Sequence, residues 1–489
     1  MARRPLPLVA TSPDDWSPGE EGEHHGVAFS TVGCRLNQAE TEEALDALVA
    51  RGYRLARDAG AKLVVVNTCA VTRESTATSR KLIRRAIRGH PDATVVVTGC
   101  YATAEPDTVT AIPGVDLVVG NHDKERLADL VLAHEPALVA TPAEQLVGAD
   151  ADDVDRRLHS RVSIRVQTGC DVHCAFCIIP STRGPLRSRD AAEVVADLRR
   201  RVADGVREAV LTGVHLGRYG HELGDREGLA HLVVRILEQV DGLERLRLSS
   251  VLPLEVTPTL VEVMAADDRI CRHLHVPLQS GSDRVLARMG RGYDAATFRS
   301  RVEHARSRLP HLGLSTDVIV GFPGETREDL DATLAVVEEV GFAKLHVFRY
   351  SARPGTRSAD TMRDDVTPEE KRARSRELIA LGERLRDRFH ASLVGAELDV
   401  VVEYDRGRAE PAAPAGSSAA SWLQGTAGNY VKVAFRGDPS WVEHVVRVRL
   451  TGLRGAIMAG EAVGVSGASQ ERRESRCRGS PETATQASP

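Results

Sequence analysis

Strand-like and helical segments alternate six times between residues 161 and 390, and this alternation limits the folds available to the chain. The strand candidates are Val162–Thr168, Ala209–Thr212, Arg245–Ser250, His273–Leu278, Leu314–Val320 and Lys344–Tyr350. Helical patterns lie between them, for example Ala191–Ala203, Gly228–Val240, Asp294–Arg308 and Arg327–Val340. Repeated β–α units predict an α/β fold with a parallel sheet and helices outside. Six units are too few for a closed eight-stranded barrel, so we expect an open, partial (β/α)6 barrel with functional residues at the carboxyl ends of its strands.

The residues before this region contain three β-branched runs, and each run ends in a cysteine. The runs are Val27–Cys34, Leu63–Cys69 and Thr94–Cys100. Helical patterns separate them, which indicates an N-terminal domain built on a parallel sheet. Because the carboxyl ends of parallel strands face a common crevice, we expect Cys34, Cys69 and Cys100 to converge there as ligands of a metal cluster. The alternative is that each cysteine is a small buried hydrophobic residue.

The C-terminal part of the chain changes from helical to strand-like patterns. The charged segment Thr367–Leu393 has helical periodicity and is expected to close the larger barrel. After it, short strand candidates predict a small OB-like β-barrel, and these are Glu397–Glu403, Asn429–Phe435, Val445–Leu450 and Ala456–Val463.

These patterns divide the 489-residue chain into three folded units. We expect the cluster domain over residues 26–145, the partial barrel over residues 156–393 and the small β-barrel over residues 394–465. Residues 1–25 and 466–489 are expected to be disordered. The Ala/Pro/Gly/Ser-rich residues 405–420 predict a flexible loop inserted in the small barrel.

A C-x3-C-x2-C run follows the first strand of the predicted open barrel. The thiolates of Cys170, Cys174 and Cys177 can bind three irons of a cubane iron–sulfur cluster and leave the fourth iron without a protein ligand. That open iron is a chemical site, because a small molecule can bind it and receive an electron there. A zinc site would need a fourth ligand, and His173 is the only close candidate. The cluster is therefore favoured over zinc or three structural cysteines.

Glycine and polar residues follow several of the predicted barrel strands. The ligand-binding candidates among them are Gly213, His215, Gly217, Ser249, Gln279 and Asp317. Glycine lets a ligand approach the backbone closely, and the polar groups can bind an amine, a carboxylate or a ribose. Together they fit a nucleotide-like ligand beside an open iron, although each residue alone is also ordinary turn chemistry.

The net charge of −5 provides no general attraction for nucleic acid, so RNA binding depends on local basic groups. Two such groups flank the cysteines, and they contain Arg80, Lys81, Arg84, Arg85 and Arg88, then Arg183, Arg187 and Arg189. Tyr430 beside Lys432 is compatible with stacking on a base, with simple packing as the alternative.

Two further observations concern the compartment. No apolar run approaches the length of a membrane span, and the first residues lack the apolar core of a secretory signal. The cysteine pattern then indicates metal binding in a reducing cytoplasm rather than disulfides. Of the remaining cysteines, Cys271 precedes a strand and is expected to be structural, and Cys477 lies in the polar tail.

The ordered motifs resemble those of the radical S-adenosylmethionine methylthiotransferase family over nearly all of residues 26–465. They are the segments Thr31–Glu42, Asn67–Cys69, Thr98–Cys100, Cys170–Pro180 and Gly321–Glu325. The segment Leu211–Gly220 is most similar to the branch that modifies N6-threonylcarbamoyladenosine in tRNA. Leu252 departs from that branch, which often has an acidic residue there, and so does the insertion at residues 405–420.

This resemblance implies an N-terminal cluster domain, a radical barrel and a C-terminal TRAM domain. It implies insertion of a methylthio group at C2 of N6-threonylcarbamoyladenosine at tRNA position 37, with two [4Fe–4S] clusters and S-adenosylmethionine as cofactors. The cluster on the C-x3-C-x2-C cysteines would activate S-adenosylmethionine, and the cluster on the three N-terminal cysteines would deliver a methylated sulfur. The implied partners are the anticodon loop of tRNA and an electron donor such as flavodoxin or ferredoxin.

Alternatives stay open at the level of sequence. Sister branches perform the same chemistry on isopentenyladenosine in tRNA or on an aspartate of a ribosomal protein. A non-catalytic iron–sulfur protein that binds RNA as a sensor would also need clusters, but it would not need a six-unit barrel with glycine-rich strand ends.

Overall fold

The computed structural model describes residues 26–56, 61–134, 161–403 and 421–465. The predicted N-terminal extension, the predicted loop over residues 405–420 and the tail that contains Cys477 lie outside the described residues. Within the described ranges, no helix combines the length and the apolar character needed to cross a lipid bilayer.

The N-terminal residues form a five-stranded parallel sheet. Its strands are β1 (Gly26–Thr31), β2 (Arg54–Leu55), β3 (Ala61–Thr68), β4 (Thr94–Gly99) and β5 (Leu117–Val119), in the order β2-β1-β3-β4-β5. Its helices are α1 (Arg35–Val49), α2 (Arg73–Gly89), α3 (Cys100–Ala104), α4 (Pro106–Thr110) and α5 (Leu127–His134). Leu63 and Val65 pack in one apolar core, whereas Val64 and Val66 pack in another. Both faces of β3 are thus covered, which explains its uninterrupted apolar run.

The middle of the chain forms the predicted open barrel. The strands of this region are β6 (Arg161–Arg165), β7 (Gln167–Thr168), β8 (Arg187–Ser188), β9 (Glu208–Thr212), β10 (Arg245–Leu248), β11 (His273–His275), β12 (Gly313–Val320) and β13 (Lys344–Arg349). The short strands β7 and β8 pair with each other outside the barrel, and the other six strands form it. Two parallel sheets, β10-β9-β6 and β11-β12-β13, are joined by a parallel bridge between Ser250 and His275. The six strands therefore follow one another in sequence around an arc, which confirms the expected architecture.

The helices of this region are α6 (Ile179–Arg183), α7 (Ala191–Ala203), α8 (Gly228–Gln239), α9 (Pro258–Ala266), α10 (Asp283–Met289), α11 (Ala295–Arg308), α12 (Arg327–Val340), α13 (Arg357–Thr361) and α14 (Pro368–Ser392). Of these, α7, α8, α9, α11, α12 and α14 cover the outer face of the arc. Alternate strand residues such as Leu246, Leu274 and Leu314 pack under these helices. The residues between them consequently face the interior of the barrel. Helix α14 packs on β13, where a Cβ atom at Gly382 would lie 2.9 Å from the Cβ of Leu345.

The C-terminal residues form a closed five-stranded barrel, as the strand pattern predicted. Its strands are β14 (Glu397–Glu403), β15 (Ser421–Ala427), β16 (Lys432–Gly437), β17 (Val445–Arg454) and β18 (Ile457–Val465), in the order β14-β15-β16-β18-β17. Strand β15 is absent from the sequence-based prediction. Its sequence contains Gln424, Gly425 and Thr426, so it lacks the continuous apolar run that identified the other strands.

A buried ion network attaches this small barrel to the amino end of the open barrel. Glu208 is fully buried, and its carboxylate accepts hydrogen bonds of 2.6 Å from Arg161 and 2.7 Å from Arg247 and forms an ion pair of 2.9 Å with Arg245. Arg247 also donates to the carbonyl of Gly428 at 2.7 Å, in the turn between β15 and β16. Burial disfavours the Glu208 carboxylate, but the three guanidinium groups hold its pKa well below the usual range.

Replacement of Glu208 by alanine is expected to weaken this attachment strongly. Three guanidinium groups would lose their buried carboxylate, and breaking a buried ion pair typically costs about 3–5 kcal/mol. The melting temperature should fall, and limited proteolysis should release the small barrel earlier. As a matched control, Glu262→Gln alters an exposed ion pair with Arg308 and should leave both measurements unchanged. Equal behaviour of the two variants would contradict the role given to the network.

Candidate cluster and substrate site

The three N-terminal cysteines lie beyond the carboxyl ends of β1, β3 and β4, and they share one crevice. A Cβ atom at Gly33 would lie 2.9 Å from the Cβ of Cys69, and Gly33 has a φ of +120°, so this approach requires glycine. Burial, with smaller contributions from the neighbouring thiols of Cys100 and Cys34, raises the pKa of Cys69 to about 11. All three thiols are free. The convergence expected from the strand ends is therefore present.

A buried ion network lies beside this crevice. Glu40 accepts bonds of 2.6 Å from both Lys124 and Arg183, and Arg183 also donates to Asn37 at 2.7 Å. Burial disfavours the Glu40 carboxylate, but Lys124 and Arg183 lower its pKa to about 2. Because Arg183 belongs to α6 of the open barrel, this network joins the helix that follows the C-x3-C-x2-C run to the N-terminal sheet.

The same junction corrects the interpretation of the second basic group. Arg183 is buried, and Arg189 forms an ion pair of 3.1 Å with Asp197, so neither is available to attract RNA. The partner of Arg183, Glu40, comes from an element distant in sequence, which a local charge pattern does not reveal. Only Arg187 of that group is well exposed, and it lies 3.0 Å from Glu125.

The second set of cysteines lies in the loop between β7 and α6. A Cβ atom at Gly169 would lie 1.7 Å from the carbonyl oxygen of Pro185, and the φ of Gly169 is +71°, so glycine is needed where the loop begins. Burial, with smaller contributions from the neighbouring thiols of Cys174 and Cys170, raises the pKa of Cys177 to about 12. The loop thus holds three free thiols near one another.

Cationic side chains contact two of these thiols. Arg291 lies 3.0 Å from the Sγ atom of Cys174, and Nδ1 of His215 lies 3.6 Å from Sγ of Cys170. Burial disfavours the imidazolium of His215, but hydrogen bonds with Cys170 and Glu255 raise its pKa to about 9. Positive charge favours the thiolate, which is the form that binds metal. Sequence reasoning identified His215 but missed Arg291. Arg291 lies just after α10 and belongs to no recognisable metal-binding motif.

The spacing of the thiols fits a cluster better than a single ion. Among the described residues, neither cysteine triplet brings all of its sulfur atoms within 4.8 Å of one another. One zinc ion with Zn–S bonds of about 2.3 Å would hold its sulfurs closer than that. His173 is exposed, and the ligand-type groups that do approach Cys170 are Asp171 and His215. The donor sets and their spacing are therefore suited to two iron–sulfur clusters.

The structure gives two of the ligand-binding candidates a packing role. A Cβ atom at Gly213 would lie 2.7 Å from Oε1 of Gln167, and one at Gly217 would lie 2.4 Å from the Cβ of Glu255. Gln167 in turn accepts a bond of 2.8 Å from the backbone N–H of His215. Both glycines therefore allow the loop after β9 to place His215 beside Cys170.

Three polar candidates lie at the carboxyl side of the central strands. The hydroxyl of Ser249 and Oε1 of Gln279 are buried without a hydrogen-bond partner among the described residues. Such unpaired buried atoms are suited to binding a polar ligand. Asp317 instead lies 3.3 Å from Nε2 of His275, on the interior face of β12. Ser249 and Gln279 thus fit the expected contacts to S-adenosylmethionine better than Asp317 does.

Tyr430 packs inside the protein rather than facing RNA. Its ring lies 4.4 Å from the ring of His273, and the Arg247 guanidinium lies 4.1 Å from its centroid. Lys432 forms an ion pair with Glu403. The packing alternative is therefore confirmed. Cys271 is buried as well, in agreement with its expected structural role.

Sequence comparisons identify two matching profiles. The uncharacterised protein family UPF0004 matches residues 26–120, and the Radical SAM superfamily matches residues 164–337. Threonylcarbamoyladenosine tRNA methylthiotransferase MtaB of Bacillus subtilis (strain 168) is 37% identical over 430 residues, which cover 87% of this chain and 93% of that protein. Its namesake from Thermotoga maritima is 34% identical over 438 residues, with 88% and 96% covered. The tRNA-2-methylthio-N(6)-dimethylallyladenosine synthase of Thermobifida fusca is 37% identical over 391 residues, with 77% and 78% covered.

Comparison with solved structures supports the fold. The radical S-adenosylmethionine methyltransferase TsrM of Kitasatospora setae has a TM-score of 0.51 and 18% identity, with 69% of this chain and 77% of that chain covered. The UPF0004 and Radical SAM profiles match successive parts of this chain. The similarity to the two MtaB proteins spans nearly the whole length of those proteins. The chain therefore belongs to the radical S-adenosylmethionine tRNA methylthiotransferase family.

Proposed function

We propose that the protein inserts a methylthio group at C2 of N6-threonylcarbamoyladenosine at position 37 of tRNA. The observation that carries this proposal is the pair of three-thiol sites, one in the N-terminal crevice and one in the barrel loop, joined through α6. The Bacillus subtilis protein is 37% identical over 87% of this chain, whereas the dimethylallyladenosine synthase of Pelobacter propionicus is 34% identical over the same share. The higher identity at equal coverage supports the threonylcarbamoyl substrate.

The protein uses S-adenosylmethionine and two [4Fe–4S] clusters. When bound, these groups supply one-electron cleavage of S-adenosylmethionine and a sulfur for transfer. A radical route suits the reaction because a ring C–H of adenine is not acidic enough for a side-chain base. We assign one cluster to Cys170, Cys174 and Cys177, and the other to the three N-terminal cysteines.

Neighbouring side chains provide charge and hydrogen-bonding groups at these sites. Arg291 and His215 place positive charge beside two thiolates, and the buried oxygens of Ser249 and Gln279 can accept hydrogen bonds from S-adenosylmethionine. The Glu40 network holds the two thiol sites in a fixed relation, because it binds residues of both domains. Such fixed placement is the main contribution a protein makes to cofactor chemistry.

The substrate is tRNA, and two exposed surfaces are suited to binding it. Lys81, Arg84, Arg85 and Arg88 are exposed on α2, the helix that follows Cys69. Trp422 of the small barrel is 45% exposed, and Arg454 lies 3.7 Å from its ring centroid. Basic groups bind phosphates, and an exposed aromatic ring can stack on a base. We place the anticodon loop between these surfaces, in the cytoplasm, with flavodoxin or ferredoxin as the class of electron donor.

The experiment that tests this function is mass spectrometry of tRNA nucleosides from a strain that lacks the gene. The methylthio derivative of threonylcarbamoyladenosine should disappear, and its unthiolated precursor should accumulate. The wild-type gene should restore the product, whereas a copy with Cys174→Ala should not. An unchanged nucleoside profile in the deletion strain would overturn the proposed substrate.

A further inference from the structure

The interior of the open barrel contains an arginine contributed by another domain. Arg35, the first residue of α1, donates to the hydroxyl of Tyr430, and its guanidinium lies 5.6 Å from the Tyr430 ring centroid. Tyr430 lies against His273 and Arg247, whose side chains face the barrel interior. Arg35 of the N-terminal domain and Tyr430 of the small barrel therefore meet at the amino end of the interior, which we call the barrel floor.

The charge at the barrel floor is not balanced. The guanidinium groups of Arg161 and Arg247 lie 5.7 Å and 4.1 Å from the Tyr430 ring centroid, so they and Arg35 surround one ring. Glu208 pairs with Arg161, Arg245 and Arg247, and Glu403 lies 3.4 Å from Arg161. Within the described part of the chain, Arg35 forms no ion pair with a carboxylate, and its hydrogen bond is to the Tyr430 hydroxyl. A cation in such a setting is suited to binding an anion.

The backbone conformation at Tyr430 indicates that this residue, whose hydroxyl accepts the bond from Arg35, is held in one position. Tyr430 has a φ of +70°, a left-handed conformation that is uncommon for a residue with a large side chain. The turn that carries it is fixed by Arg247, which donates to the carbonyls of Gly428 and Ala427 at 2.7 and 3.2 Å. This conformation is maintained by its surroundings, which is typical of functional positions.

The wall above the barrel floor is suited to a base and its polar substituent. His275 lies 2.9 Å from the hydroxyl of Ser315 and 3.3 Å from Asp317, and its ring centroid lies 5.8 Å from that of His346. Phe348 follows on the same face of β13 and is 37% exposed. An exposed aromatic ring beside hydrogen-bonding groups is a common arrangement for holding a nucleobase.

We propose that Arg35 at the barrel floor binds the carboxylate of the threonylcarbamoyl group and thereby selects this substrate over adenosines with an uncharged N6 substituent. The inference rests on the proposed function, since it names the residue that recognises the charged part of that substrate. An isopentenyl group carries no charge, so it would leave the Arg35 cation without a counter-ion. A site that binds a polar group rejects an analogue that lacks the group.

The test compares the binding of two anticodon hairpins to the reconstituted enzyme, without S-adenosylmethionine, by fluorescence anisotropy. One hairpin carries threonylcarbamoyladenosine and the other carries isopentenyladenosine. Arg35→Gln should weaken binding of the first hairpin roughly 10- to 100-fold, the range for a hydrogen bond to a charged group, and should change the second less than about twofold. Arg35→Lys keeps the charge and should retain the preference. An equal change for both hairpins, or no change, would overturn the inference.

Replacement of Arg35 could act indirectly through Cys34, the proposed cluster ligand that precedes it in sequence. Two further measurements separate such an effect from carboxylate binding. Tyr430→Phe removes the hydroxyl that holds Arg35 and is distant in sequence from every cysteine, so its iron content should match the wild type. It should weaken the threonylcarbamoyl hairpin by roughly two- to tenfold. For the wild-type enzyme, a hairpin with the carboxylate converted to its methyl ester should bind as weakly as the Arg35→Gln variant binds the parent hairpin. Undiminished binding of the ester would overturn the inference.

Failure of this inference is distinguishable from failure of the proposed function. If the wild-type enzyme methylthiolates the threonylcarbamoyl hairpin but Arg35→Gln keeps the hairpin preference, only the role of Arg35 is wrong. If the wild-type enzyme forms no methylthio product on this hairpin, the proposed function itself is wrong, and the recognition proposal falls with it.

Discussion

Replacement of Cys174 by alanine is expected to reduce the cleavage of S-adenosylmethionine to background. The variant lacks one of the three thiolates assigned to the cluster in the barrel loop, and a cubane cluster with an open iron needs all three. Arg291, which lies 3.0 Å from the Cys174 sulfur and 3.2 Å from the Tyr293 hydroxyl, also loses one of its two partners. The measurement is chromatography of 5′-deoxyadenosine formed by the reconstituted protein with dithionite as reductant.

The matched control for this variant is Cys271→Ala. Cys271 is buried next to β11 and belongs to neither thiol site, so its replacement should leave cleavage at the wild-type rate. Iron analysis should show about four iron atoms per chain in Cys174→Ala, those of the remaining cluster. Cleavage at the wild-type rate in Cys174→Ala would refute the assignment of this loop.

Replacement of Cys69 by alanine is expected to separate the two halves of the reaction. The loop with Cys170, Cys174 and Cys177 is unaltered, so 5′-deoxyadenosine should still form. The N-terminal crevice loses a thiolate, so no methylthio product should appear on tRNA. The measurement is nucleoside mass spectrometry beside the 5′-deoxyadenosine assay on the same reaction.

Val71→Ala is the control at the same place in the fold. Val71 lies two residues after Cys69 and is 48% exposed, so its replacement leaves the thiol in position. This variant should keep both activities. Persistent sulfur insertion by Cys69→Ala would show that the N-terminal cysteines serve packing, which is the alternative that the sequence left open.

The six barrel strands and β1, β3 and β4 of the N-terminal sheet were predictable because each carries a continuous or regularly spaced apolar run, whereas β2 has only two residues and carries none. The prediction that three cysteines converge also followed from sequence, since parallel strands end at the same edge of a sheet. Strand β15 was not predictable in this way, because Gly425 meets the backbone of Val401 and serves pairing with β14 rather than apolar packing.

The contacts between domains were beyond the reach of sequence patterns. Arg183 belongs to a basic group by sequence, yet Glu40 of another domain buries it in an ion network. Tyr430 and Lys432 are neighbours in sequence, yet only the structure shows that the tyrosine lies in the barrel floor beside Arg35. Such pairings depend on how folded units dock, and neither spacing nor periodicity carries that information.

The most direct test of the account is the reaction of the purified, reconstituted enzyme with an anticodon hairpin that carries threonylcarbamoyladenosine. Mass spectrometry of the hairpin should show a methylthio group in place of one ring hydrogen, with 5′-deoxyadenosine and S-adenosylhomocysteine formed in the same reaction. Formation of 5′-deoxyadenosine without a methylthio product, while an isopentenyladenosine hairpin is converted, would contradict the account.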